Sequence, residues 1–129
     1  MTTQNNNIPN FASVNAVFQL KRIAENNGSK WFSPDNMRFS GSRIHDTCYG
    51  GCVFVSSEYT GFSREGRAYT IRVMMDDGSI TNWGGFLSYS TRYEAHKEAA
   101  WLGRAIKAGK IRWADNGYEL EAIETEELI

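Results

Sequence analysis

The chain has 129 residues, enough for one domain with a buried core. Hydrophobic residues make up 41% and aromatics 13%, which excludes a disordered chain, and no apolar run approaches the ~20 residues that span a bilayer. The formal net charge of −1 conceals a segregation, because residues 61–113 hold nine Lys or Arg against five acids, while residues 114–129 hold six acids and no base.

The N-terminus, M-T-T-Q-N-N-N-I-P-N, lacks the basic start and apolar stretch of a secretory leader, so a cytoplasmic protein is expected. Two cysteines, Cys48 and Cys52, are too few for a disulfide scaffold and fit a reducing compartment. Residues 1–10 read as a flexible arm and 11–129 as a single domain.

Ser13 is a candidate N-cap for a helix over Val14–Asn27, with Gly28 as its stop. Val14, Val17, Phe18, Leu20 and Ala24 form its apolar face, from which Lys21 must snorkel out. Ser33-Pro34-Asp35 starts a second, short helix that Gly41 limits to 34–40. Gly50-Gly51 then turns the chain into a strand at 52–59. A strand over 68–76 alternates Tyr69, Ile71 and Val73 against Thr70, Arg72 and Met74. Asp77-Gly78 signals a hairpin returning as 79–83, which Gly84-Gly85 breaks before 86–89.

Thr91 with Glu94 makes a capping box for a helix over 92–108, whose Ala95, Ala99, Leu102 and Ile106 form the core stripe. Tyr93, Lys97, Arg104 and Lys107 fall on its opposite face. Asn116-Gly117 joins a last hairpin of 110–114 and 118–123, with Trp113 facing Leu120, Ile111 facing Ala122, and Arg112 opposite Glu121. The order predicts an α+β domain: an antiparallel sheet of about five strands with helices packed on one face.

Several constellations could carry chemistry. His45, Cys48 and Cys52 offer H-x2-C-x3-C, which His96 could complete as a tetrahedral metal site, but a second cysteine pair is missing. The same cysteines could act as nucleophiles with His45 or His96 as base and Asp46 as orienter, yet no recognisable signature surrounds them. Packed, inert thiols are the expected state, and neither a metal nor a cofactor is expected. The glycine pairs do not stand between a strand and a helix start, and Asp76-Asp77 belongs to a turn.

Arg38, Arg43, Arg64, Arg67 and Arg72, near Trp31, Phe32, Phe39, Tyr49 and Tyr59, could form a nucleic-acid surface, against which the net charge counts. The acidic end is the sharpest electrostatic feature. Glu119, Glu121, Glu124, Glu126 and Glu127 could dock on a basic groove of a partner, or simply protect an edge strand.

At W-F-S-P-D-N-M-R-F-S-G-S-R, F-V-S-S-E-Y and Y-T-I-R-V-M-M-D-D-G-S-I, the chain resembles small proteins encoded by bacteriophages and plasmids. The likeness runs from Trp31 to about Ala108. It implies an accessory protein that inhibits host defence, as anti-CRISPR proteins do, by binding a host protein or nucleic-acid-binding complex in the cytoplasm of an infected bacterium. It supplies no site residues. The reading is therefore a non-enzymatic binding protein, with a small nucleic-acid-binding regulator and a Cys-centred enzyme or metal protein as alternatives.

Overall fold

A computed structural model describes residues 14–36, 42–61, 66–75, 78–113 and 120–122. The expected arm at 1–10 lies outside them. In chain order the elements are helix α1 (Val17–Asn26), strands β1 (Arg43–Ile44), β2 (Val53–Tyr59), β3 (Arg67–Met74) and β4 (Ile80–Trp83), helix α2 (Arg92–Lys107), and strands β5 (Ile111–Trp113) and β6 (Leu120–Ala122). Together they make an α+β fold on an antiparallel sheet.

The sheet has four strands in the order β1-β2-β3-β4, not five. The last hairpin forms a separate ladder, with the expected register of Ile111 opposite Ala122, Arg112 opposite Glu121 and Trp113 opposite Leu120. The strand that sequence reasoning missed is β1, where Arg43 pairs with Ser57 and Ile44 with Ser56. Two residues carry too little alternation to be read as a strand.

The helices occupy both faces of the sheet rather than one. Register places Val53, Val55, Ile71 and Val73 on one face, where they are buried against Ala95, Ala99, Leu102 and Ile106 of α2. Phe54 and Met74 point the other way, into a cluster with Val17, Leu20 and Ala24 of α1 and with Phe32. Successive strand residues face opposite sides, so a run such as Val53-Phe54-Val55 feeds two cores. Phe32 stacks on Phe54 at 5.8 Å, and Trp31 meets the same ring edge-on at 5.7 Å.

Helix α1 begins three residues later than expected. Ala16 is extended and bridges to Thr47, and the Gln19 side chain accepts from the amides of Asn15 and Ala16. That glutamine supplies the cap in place of Ser13, which is outside the described residues. Gly28, at φ +83°, ends the helix, and Ser29 N–H donates to Ala24 O. Phe18 does not join the apolar face, being 60% exposed. At the start of α2, Thr91 Oγ1 accepts from Glu94 N–H at 3.2 Å, which is the N-cap half of the expected capping box.

One contact fixes how α2 lies. Gly103 sits against the turn at Tyr49-Gly50 so closely that a Cβ there would fall 2.8 Å from Gly50 N. The close approach fastens the C-terminal half of α2 to the turn that carries Tyr49. No helix among the described residues is long and apolar enough to cross a membrane.

Candidate functional site

The polar side chains gather where α2 begins, on the face of the sheet that α2 covers. Arg43, Ser57 and Tyr69 form one row across β1, β2 and β3, because Ser57 pairs with both of the others. Arg67 lies two residues from Tyr69 on the same face. Its Nε donates to Ser57 Oγ and its Nη2 to Ser57 O, both at 2.8 Å, which holds the guanidinium in place. His45 follows β1, anchored by its N–H donating to Val55 O.

From α2, His96 completes a chain of three side chains. His45 Nδ1 lies 2.7 Å from His96 Nε2, and His96 Nδ1 lies 2.8 Å from the Tyr49 hydroxyl. Each bridge holds one proton, so with both rings neutral the chain has two polarities. In one, Tyr49 donates to His96, His96 donates to His45, and His45 Nε2 carries a proton. In the other, every donor is reversed and His45 Nε2 is a bare acceptor.

Both imidazoles resist protonation. Burial, followed by His96, Arg92 and Arg67, holds the His45 pKa at about 4. Burial and then Arg92 lower His96 from its ordinary value, and burial raises the Tyr49 phenol.

Three surface hollows run along this part of the molecule. The first, of about 310 Å³, is lined by Arg43, Ile44, His45, Ser57, Arg67, Tyr69 and Arg92. The second, about 630 Å³, is lined by Arg92, Tyr93, His96 and Lys97. Ser88, Tyr89, Glu94, Lys97, Glu98, Trp101 and Arg104 surround the third, about 600 Å³. Arg92 is common to the first and second, and Lys97 to the second and third, so neighbouring hollows adjoin at α2. Tyr93 is 73% exposed and Trp101 40%, the latter beside Trp83 at 6.0 Å between ring centroids. Lys97 Nζ lies 6.0 Å from the Tyr93 ring centroid. Glu98 accepts from the Trp83 indole N–H at 3.2 Å.

The arginine surface anticipated from the sequence is divided by this arrangement. Arg43 and Arg67 meet in the first hollow, whereas Arg72 is buried on the opposite face of the sheet. There its Nε donates to Ser56 Oγ at 2.8 Å and its Nη1 to Asn82 Oδ1 at 2.7 Å, with Glu58 at 3.9 Å. Trp31 and Phe86 flank the guanidinium at 5.1 and 5.5 Å. Burial lowers its pKa and Glu58 acts against that. Arg72 is a core element, as are Trp31 and Phe32, while Arg38, Arg64 and Phe39 lie outside the described residues.

Of the acidic residues, Glu121 is in β6 opposite Arg112, and Glu119, Glu124, Glu126 and Glu127 lie outside the described residues. Cys48 belongs to the α1 core and Cys52 to the α2 core. Burial pushes their thiols up to about 11 and about 12, the reverse of what a nucleophile needs. No group of three potential metal ligands occurs among the described residues.

Sequence reasoning placed Tyr93, Lys97 and Arg104 on the outer face of α2 but did not add Arg92 and Trp101 or read the face as a site. The signal existed, since 93, 97 and 101 recur every four residues and the capping box sets the phase of the helix. The pairing of His45 with His96, 51 positions apart, has no local signature.

No curated protein and no solved structure matches the chain. Residues 16–100, which take in α1, the four-stranded sheet, the Tyr49–His96–His45 chain and the first part of α2, match a family of unknown function, DUF7447, and the protein belongs to that family.

Proposed function

We propose that the protein is a binding module that holds a single nucleic-acid strand in the groove along α2. The observation that carries this reading is that the three hollows adjoin at Arg92 and Lys97, with Tyr93 and Trp101 exposed beside them. Exposed rings accept bases by stacking irrespective of sequence, and cations between them track phosphates. Arg43, Arg67, Arg92, Lys97 and Arg104 line the groove against Glu94 and Glu98. The local balance is thus basic despite the total of −1. Helix α2 is about 24 Å long at ~1.5 Å per residue, a length suited to the shortest single-strand sites of ~4 nucleotides.

Fluorescence anisotropy with a short single-stranded oligonucleotide tests the reading. Neutralising about four phosphates gives a slope of roughly −3 in log K against log salt. Trp101→Ala and Tyr93→Ala should each weaken binding by ~10-fold or more. Absence of binding at low salt would overturn it.

The acidic segment supports a second reading, since residues 114–129 hold six acids and no base. In it, Glu119, Glu121, Glu124, Glu126 and Glu127 dock on a basic groove of a host defence complex and compete there with nucleic acid, as the resemblance to phage and plasmid proteins implies. Replacing Glu119, Glu121 and Glu124 by Gln would then weaken capture of that complex from host lysate. Equal capture by the charge-neutral variant rejects this version.

A further inference from the structure

We propose that the smallest hollow, walled by Arg43, Arg67 and Arg92 and bordered by His45, is a phosphomonoester site that takes the terminal phosphate of the strand. The inference rests on the groove reading above and names what its end recognises.

The position of the hollow is the first argument. Among the described lining residues it shares Arg92 with the second hollow and none with the third, so the 310 Å³ hollow stands at one end of the series. An internal phosphodiester needs chain leading in and out; a terminal group needs only one approach.

Charge is the second. Among its described lining residues three are arginines and none is acidic. A phosphomonoester carries close to two negative charges near neutral pH and three strong acceptor oxygens, which suits several guanidinium donors better than a singly charged diester does. After burial and His96, Arg92 and Arg67 also oppose protonation of His45, as cations facing the same hollow should. Arg92 opens α2, whose N-terminus adds partial positive charge at the same border.

Preorganisation is the third. Two hydrogen bonds to Ser57 fix the Arg67 guanidinium before any anion arrives. Ser57 Oγ accepts from Arg67, and its own proton is suited to donation toward a phosphate oxygen. The chain of Tyr49, His96 and His45 supplies a neutral donor as well. In the polarity where Tyr49 donates, His45 Nε2 carries a proton; in the reversed polarity it carries a lone pair that an anion would repel. A bound phosphate therefore selects the first polarity. Tyr49 and His96 are positioning residues in this account.

The test uses the full chain with three probes: inorganic phosphate, an unphosphorylated oligonucleotide, and the same oligonucleotide bearing a terminal phosphate at either end. A phosphate at the accepted end should tighten binding by about tenfold, as expected for added hydrogen bonds to a charged group. Arg43→Gln and Arg67→Gln should each bring the ratio of phosphorylated to unphosphorylated affinity toward one. Nitrogen-15 NMR of the histidines should show inorganic phosphate converting His45 Nε2 to the protonated tautomer saturably, and Tyr49→Phe should reduce that response.

If the plain strand binds and neither terminal phosphate adds affinity, the inference fails and the groove reading survives. If inorganic phosphate shifts His45 but no strand binds, the groove reading fails, and with it the assignment of this phosphate to a strand end.

Discussion

Replacing Gly103 by alanine sets two effects of known size against each other. Gly103 is buried within α2, and glycine inside a helix costs about 1 kcal/mol relative to alanine. Propensity alone therefore predicts stabilisation. The added Cβ, however, would lie 2.8 Å from Gly50 N, 2.8 Å from Tyr49 C and 2.9 Å from Tyr49 Cβ. Two of these atoms are main chain, so no side-chain rotation relieves them. The turn itself is constrained, because Gly50 has φ +62° and its own notional Cβ would meet Gly103 at 2.6 Å. Overpacking of this kind costs about 1–3 kcal/mol and separation of the two backbones adds lost contacts, so Gly103→Ala should destabilise by about 1–2 kcal/mol net. With a urea slope of about 2 kcal/mol per molar, the midpoint should fall by roughly 0.5–1 M. The displaced turn carries Tyr49, so the nitrogen-15 signals of His96 should move in the same variant. A midpoint equal to or above that of the parent would show that the close approach costs nothing, and the account of how α2 is positioned would be wrong.

Acid should weaken the fold before most carboxylates titrate. His45 is held at about 4 by burial, then by His96, Arg92 and Arg67, against 6.5 when free. The unfolded chain takes up the proton first, so the folded state is fully favoured above about 6.5 and loses ground as pH falls toward 4. A dry site would make this worth ~3 kcal/mol, and solvent screening of the half-exposed ring reduces it to about 1 kcal/mol. Urea midpoints at pH 7 and pH 5 should differ accordingly, and His45→Gln should shrink the difference; a higher midpoint at pH 5 contradicts the sign. Cys48 and Cys52, raised to about 11 and about 12, should react with a thiol reagent only as fast as the protein opens. Immediate labelling at neutral pH would disprove their inertness. Arg72→Ala takes the cation from Glu58, which keeps the Ser42 hydroxyl, and removes the Arg72 donors from Ser56 and Asn82, at a cost of about 3 kcal/mol, whereas a loss below ~1 kcal/mol would mean the guanidinium is not integral to the core.

What could be read directly from the residues was local. Thr91 and Glu94 announced α2, and the register expected for the last ladder from an Asn116-Gly117 hairpin signal is the one found between Ile111–Trp113 and Leu120–Ala122. What could not be read was which surface each element meets. The set Thr70, Arg72 and Met74 looks like a solvent face beside Tyr69, Ile71 and Val73, yet all six are buried, because α1 and the Trp31–Phe32 segment cover the second side of the sheet. An arginine is expected outside unless its partners are known, and those of Arg72 come from β2 and β4. The same holds for the site. Arg43, Arg67 and His45 stood out as chemically apt, but their meeting with Arg92 and His96 depends on β1 pairing and on the seating of α2, both tertiary facts.

The buried Arg72 also decides something that apolar patterning leaves open. A one-residue slip between β2 and β3 would turn each core residue to the wrong side, but a two-residue slip preserves the alternation and merely shifts the strands by about 6.6 Å. In the native register Phe54 stands opposite Arg72 and Asn82 stands opposite it on the other side. Ser56 and Glu58 are then within reach along β2. A two-residue slip that sets Arg72 opposite Cys52 takes both out of reach, and a charge remains in the core without its acceptors. The guanidinium thus acts as an alignment mark, making a competing hairpin pairing several kcal/mol worse than the native one, on the scale of about 3–5 kcal/mol for an unpaired buried charge.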